Sequence, residues 1–329
     1  MLSLDATLFF RVLVFPGFLF VLTLIFFCDW IERKVEARME NRIGPLYTGP
    51  SGILQPVADF IKLLSKEDLA PSNIRSTVFK VAPLLSFSVL AFAWLFIPVD
   101  GSNAILDSGF EGDLIFVMTL MTIANFFLFL SGWASKNAYS GISAARVLTQ
   151  FLGYDIPLFV LALTPTFMAS SISISKIASS QLVPFALLAP WAFGLFIITL
   201  QAELEKDPFD VPLSEAEVVG GYEVEYAGRR LAFLKLSKDI QIVLGAAITV
   251  ELFLGGPYGP VLFGAPAVWY TLWFILKTVA IIVIGEYITC VFSRLRIDQV
   301  LDANWSILLP LSAVSLLAAV GIRIWLIPW

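Results

Sequence analysis

The sequence predicts an all-α integral membrane protein with about eight transmembrane helices, an amphipathic interfacial helix and two long charged loops. Three observations carry this. The 329 residues are 58% hydrophobic and only 14% charged. Mean hydropathy is +0.87, outside the range of soluble globular domains. Apolar runs long enough to cross about 30 Å of hydrocarbon recur along the whole chain.

The runs fall at 8–28, 81–98, 114–133, 148–170, 182–200, 240–256, 266–288 and 305–327. The first contains Arg11, continues through Cys28 and ends in acids and bases, which suits a retained helix better than a cleaved signal peptide. The loops between the runs sort by charge. The first, third, fifth and seventh hold 17 of the 21 Lys and Arg, whereas the second, "VDGSNAILDSGFEGD", has four acids and no base, and the sixth, "GGPYGPVLFGAP", has no charge. By the positive-inside rule the basic loops face the cytoplasm, so both termini are expected outside a cell membrane.

Two of these loops, 29–80 and 201–239, are longer than a connection needs, and such loops are usually functional or disordered. In the first, "SGILQPVADFIKLLSKED" sets Ile53, Leu54, Val57, Phe60, Ile61 and Leu64 at helical spacing, the pattern of a helix lying in the interface plane. No repeat, low-complexity tract or linker divides the chain, so residues 1–329 read as a single membrane domain.

Composition also narrows the chemistry. With no histidine, and with Cys28 and Cys290 far apart, the chain has no Cys/His metal cluster and no Ser-His-Asp triad. Any redox centre is then expected in a partner, and hydrolase chemistry or nucleic-acid binding is not indicated.

Charge is concentrated in a few places. After the first run, "IERKVEARMENR" places Glu32, Glu36 and Glu40 on one i,i+4 stripe and Lys34, Arg38 and Arg42 on another. Like charges at that spacing destabilise an isolated helix by a few tenths of a kcal/mol per pair, so each stripe is expected to meet complementary charge elsewhere or lipid head groups. The fifth loop has eight acids within thirty residues: Glu203, Glu205, Asp207, Asp210, Glu215, Glu217, Glu223 and Glu225. Interspersed Phe209, Val211, Val218, Val219 and Tyr222 make it a folded loop rather than an acidic tail. Inside the runs lie Asp155, Glu251, Lys277 and Glu286, and intramembrane ionisable residues are by default functional. A series of acids leading from a loop into the bundle suits a proton path. It fits either a subunit of a proton-coupled redox complex or a stand-alone proton-coupled secondary transporter.

Long segments then resemble one family, subunit 1 (the bacterial H subunit) of respiratory complex I, together with its relatives in membrane-bound hydrogenases and ferredoxin-linked complexes. They are "ERK" with "RIGP", "GILQPVADFIKLLSKED", "AARVLTQFLGYD", "AELEKDPFDVPLSEAEVVGGYEVEYAG", and "RLRIDQ" with "WSILLP". The resemblance implies a subunit without catalysis of its own, joining a peripheral iron-sulfur arm to an ion-translocating arm and forming most of a chamber where quinone is reduced. Its implied neighbours are iron-sulfur and hydrogenase-like peripheral subunits, antiporter-like and small membrane subunits, and the lipid bilayer. It further implies that Arg33, Arg38, Arg42, Gln55, Asp59 and Lys62 line the chamber mouth and docking surface, joined by Arg146, Lys238, Arg294, Arg296 and Asp298 on the same side. Glu203, Asp210, Glu215, Glu217, Glu223 and Glu225 match the family's fifth-loop acids, which are associated with coupling to proton movement. Coupling onward is expected through Asp155, Glu251 and Glu286.

The sequence departs from the quinone-reducing pattern at "EKDPFD", where "NRAPFD" is usual, and at "SKD", which puts Lys238 where a Glu usually stands. These changes point to a ferredoxin-linked, hydrogenase-type relative. The alternative is a true quinone-chamber subunit of an NADH or reduced-deazaflavin:quinone oxidoreductase.

Overall fold

The structure is a computed structural model describing residues 9–71, 74, 76–102, 104–106, 111–261 and 264–326. Every regular element among these is helical. The long helices are α1 (Phe18–Met39), α3 (Ser76–Trp94), α4 (Asp113–Ala134), α5 (Ala138–Ala169), α8 (Pro190–Glu203), α10 (Gly228–Phe253), α11 (Pro266–Val291) and α13 (Leu309–Leu326). Shorter ones are α2 (Gln55–Ser65), α6 (Ile174–Ser180), α7 (Phe185–Leu188), α9 (Glu215–Val218) and α12 (Ile297–Asp302), the last running through a π-helical turn, Ala303–Leu308, into α13.

Among the described residues six helical segments are long and apolar enough to cross a membrane, and the chain is a multi-pass membrane protein. The other two expected spans take different forms. The run 182–200 is not one helix. It breaks at Ala189, whose φ of −133° and ψ of 66° leave the helical region ahead of Pro190, because a residue preceding proline is pushed out of the α region. The remaining helix, α8, has 14 residues and is about 21 Å long. The run 240–256 falls in α10 up to Phe253; that helix begins at Gly228 and carries Lys235, Lys238 and Asp239 in its first half.

Helix α10 is the hub, touching α1, α2, α3, α5, α6, α7, α8 and α11. Its second half is buried on every side, from Val243 to Phe253, and is apolar there except for Thr249 and Glu251. The core around it joins Ile25, Leu90, Trp94, Val117, Leu161, Phe196, Leu244, Phe253 and Phe274. Close helix approach rests on small residues: a Cβ at Gly245 would lie 2.8 Å from Leu200 of α8.

The interfacial helix expected in the first loop is α2. Pro56 is buried and Phe60 packs on Phe26 of α1 at 5.7 Å between ring centroids, while Leu54 and Ile61 remain exposed. The third loop is shorter than expected, since α5 starts at Ala138 and takes up all of "AARVLTQ" as helix. This extended start of α5 holds the fifth loop in place.

Candidate functional site

The fifth loop is pinned from two sides. Along α5, the hydroxyls of Ser140 and Ser143 donate to the carbonyls of Gly221 (3.1 Å) and Pro212 (2.7 Å). Gln150 donates to those of Ala202 (3.0 Å) and Phe209 (2.9 Å). Gly221 is required at its position, because φ is +62° and a Cβ would lie 2.3 Å from the Pro212 carbonyl. Arg146 reaches Glu217 at 2.5 Å and donates to the Val211 carbonyl. From the seventh loop Arg294 binds Asp210 (2.5 Å), Asp207 (3.4 Å) and the Ser214 hydroxyl (2.9 Å). Asp207, Asp210 and Glu217 are therefore held in a folded wall.

That wall lines two adjoining cavities. The smaller, about 280 Å³, lies between α1, α2 and α10 and has an apolar side of Phe26, Phe60, Leu63 and Ile242 facing Asp29, Arg33, Asp59, Lys238 and Asp239. The larger, about 960 Å³, is walled by eight acids, among them Glu32, Glu36, Asp210, Glu223 and Glu286, against three bases, Arg33, Lys206 and Arg294. Both share Glu205 and Lys206.

Glu205 sits just past the end of α8 with φ +49°, a conformation that costs a non-glycine residue about 1–3 kcal/mol. The sharp turn there aims two successive side chains in different directions. Glu205 points to α10, where it pairs with Lys238 and accepts a bond from the Tyr222 hydroxyl at 3.2 Å. Lys206 points to α1 and α11 and bridges Glu32 (2.8 Å) and Glu286. Burial works against the Lys206 ammonium, but the two carboxylates hold it above its ordinary pKa. The "EKD" departure thus has its complement in the same molecule: the acids it adds, Glu205 and Asp207, meet Lys238 and Arg294, and Lys206, standing where Arg is usual, meets Glu286 of α11 and Glu32 of the first charged stripe.

At the mouth, Arg33 joins Asp29 (2.9 Å) to Asp59 (2.8 Å), and Gln55 and Lys62 also donate to Asp59. Burial would raise Asp59, yet the bonds from Arg33 and Lys62 bring it below the usual range. The fifth-loop acids behave otherwise. Asp210 is pushed up to about 6 by burial, with Arg294 pulling down and Asp207 and Glu205 pushing further up. Glu223 is raised by burial against the pull of Lys235 and Lys238. Such groups exchange protons near working pH when the charge in the cavity changes.

Behind the cavities lies a buried polar cluster. Asn125 of α4 donates to the Tyr154 hydroxyl (2.8 Å) and to Glu203 (3.1 Å), and Gln241 of α10 donates to Asn125 (2.9 Å) and Glu203 (3.3 Å). Farther along α5, Asp155 accepts from the Thr122 hydroxyl at 2.9 Å.

The other expected site residues are dispersed. Of the two stripes along α1, only Glu32 reaches the fifth loop. The helix ends at Met39, Asn41 adopts φ +56°, and the reversed chain brings Arg42 back onto Glu36 (3.0 Å) and Glu40 (2.5 Å), leaving Arg38 exposed. Arg296 and Asp298 are exposed in the first turn of α12, where the Arg296 backbone N–H is capped by Gln299. Glu225 accepts from Asn137 at 2.5 Å, away from both cavities. Glu251 lies near the far end of α10, 12 residues and about 18 Å beyond Asp239. The Glu215 side chain lies outside the described residues. Sequence reasoning misses Asp29, Asn125 and Gln241; only the i,i+4 spacing of Asp29 to Arg33 carries a local signal.

Likeness to known proteins extends over nearly the whole chain. The family described as NADH dehydrogenase matches residues 12–320. The chain is 34% identical over 323 residues to the H subunit of the NADH-quinone oxidoreductase of Thermomicrobium roseum, covering 93% of each chain. It is 36% identical over 315 residues to the corresponding protein of Syntrophotalea carbinolica, again covering 93% of each. Against that of Dehalococcoides mccartyi the figure is 35% over 300 residues, 91% of this chain and 82% of the other.

Proposed function

Because the chain belongs to the NADH dehydrogenase family, whose matching relatives are H subunits of NADH-quinone oxidoreductases, we propose that it is the membrane subunit of a complex I-like, redox-driven ion pump. In this reading the whole chain is one membrane domain in a cell membrane, with both termini outside and the charged cavities on the cytoplasmic side. Iron-sulfur subunits dock over those cavities and antiporter-like subunits lie alongside in the bilayer. The chain itself breaks no bond. A change of charge in the docked arm shifts protons among Asp210, Glu223 and their neighbours, and the shift passes inward to Glu203 and Asp155.

The finer reading is a ferredoxin-linked, hydrogenase-type complex. One observation carries it: Glu205 and Lys238, two of the positions whose charge departs from the quinone-reducing pattern, are paired with each other in the cavity wall. A space walled by engaged ion pairs suits proton traffic better than an apolar quinone ring. The second reading, quinone reduction, is favoured by the apolar side of the smaller cavity, Phe26, Phe60 and Leu63, and by the activity in the names of the relatives. The test is to supply the purified complex with low-potential electrons and measure quinone turnover with and without a quinone-chamber inhibitor. Electron flow to another acceptor without quinone turnover is the expected result. Fast, inhibitor-sensitive quinone reduction would replace it with the second reading.

A further inference from the structure

The acid that lies apart from both cavities has an environment of its own. Glu251 is fully buried, and neither of its carboxyl oxygens has a hydrogen-bond partner. The chain folds directly over it: α10 ends at Phe253, Gly255 and Gly256 take φ of +71° and +52°, and a Cβ at Gly256 would lie 2.3 Å from Glu251 Oε2. Only glycine permits that approach.

Beside it stands Lys277, close to the middle of the 26-residue helix α11. Its ammonium donates to three backbone carbonyls, those of Leu254 (2.8 Å), Gly256 (2.8 Å) and Tyr258 (2.7 Å), which uses its whole donor capacity and leaves none for Glu251. Non-helical backbone at membrane depth is tolerated only where its polar groups are satisfied, and Lys277 satisfies them here. The carboxyl is thus next to a fixed positive charge without being tied to it. The Tyr258 phenol is also within electrostatic reach, and the neutral amide of Gln181 donates to the backbone carbonyls of Glu251 (2.9 Å) and Leu252 (3.1 Å) rather than to the carboxyl.

We propose that Glu251 is a proton-exchange site in the membrane interior, with Lys277 as the fixed charge that balances its carboxylate. A carboxyl committed to structure would be held by donors, as Glu205 is by Lys238 and Tyr222. Glu251 instead has both oxygens open, a compensating cation held by other atoms, and a glycine turn separating it from the partly exposed Tyr258. In the exchange the carboxyl O–H bond breaks, the proton leaves to water past that turn, and the carboxylate regains a proton on the next cycle.

The proposal deepens the reading of the chain as part of a proton-moving complex and rests on it. Two measurements on the intact purified complex test it. The first treats the wild-type complex with a hydrophobic carbodiimide, which attacks protonated buried carboxyls, and maps the adducts by peptide mass spectrometry. Glu251 is expected to be labelled, less so as the medium is made alkaline, and equally with or without sodium chloride. An unlabelled Glu251, or one protected by sodium at constant pH, overturns the assignment. The second reconstitutes Glu251→Gln complex in liposomes, where protons moved per electron should be roughly halved or lower while electron transfer continues. Wild-type stoichiometry in the variant overturns this inference alone, whereas a wild-type complex that passes electrons but moves no protons overturns the underlying reading. A variant that does not assemble leaves the decision to the labelling.

Discussion

Two lysines in the same bundle show two ways of placing a cation where the membrane disfavours one. Lys206, at the charged end of α11, is bound directly by Glu32 and Glu286. Lys277, nine residues away from Glu286 along that helix, is bound by three carbonyls and leaves its neighbouring acid untouched. Direct contact joins α1, the fifth loop and α11 into one electrostatic unit, so any charge entering the cavity is felt by all three. Indirect compensation lets a carboxyl change its protonation without breaking a bond to its partner. The first arrangement suits a sensor of charge, the second a site of exchange.

The largest effect should come from breaking the direct arrangement. Lys206→Ala leaves Glu32 and Glu286 buried and facing each other, and breaking a buried pair by removing one partner costs about 3–5 kcal/mol. A marked fall in the thermal denaturation midpoint of the detergent-solubilised complex is expected, with partial recovery in the double variant Lys206→Ala, Glu286→Gln. An unchanged midpoint in the single variant would show that the three groups do not act as a unit.

Next in size is Lys238→Glu, which sets a carboxyl against Glu205 where an ion pair now stands. Acceptor preference should shift, read as the ratio of rates with quinone and with a low-potential acceptor. An unaltered ratio would remove Lys238 from acceptor handling.

A smaller and pH-resolved effect is expected at Asp210. Its pKa is raised from 3.8 to about 6, so the protonated form is the one the fold favours. That favourable contribution is complete below the unfolded value near 4 and is lost as pH rises through about 6. Below about 6 the carboxyl is neutral and its ion pair with Arg294 is lost; above it the pair is formed. Asp210→Asn should remove a step near pH 6 from the profile of proton pumping, and a profile that keeps the step assigns it to another group.

The smallest effect on stability belongs to Glu217→Gln. Its carboxylate is about half exposed beside Arg146, a setting worth about 0–1 kcal/mol. Assembly should survive while protons moved per electron fall; full pumping by the assembled variant would take Glu217 out of the coupling path.

Much of this molecule is legible locally. A stretch such as 114–133 needs no knowledge of its surroundings to be read as a span, because hydrocarbon demands a long apolar helix whatever lies beside it. The amphipathic α2 follows from the spacing of Val57, Phe60 and Leu64 in the same way. The run 182–200 is misread because hydropathy averages over Pro190, whose effect on Ala189 is one of backbone sterics. The charged stripes are half legible: their helix is visible, but the reversal after Met39 that folds Arg42 back onto Glu36 and Glu40 has no signal in their spacing.

The sequence by itself determined that the chain lives in a membrane, which loops carry its charge, and which acids stand where acids are costly. Only the tertiary structure decided which of those charges meet. Lys206 finds Glu32 across 174 positions and Glu286 across 80, while Glu251, equally conspicuous as a letter, meets no donor. The reason is physical. Burial in hydrocarbon is a property of a residue and its near neighbours, whereas an ion pair depends on two side chains being brought within a few ångströms by the path of the whole chain.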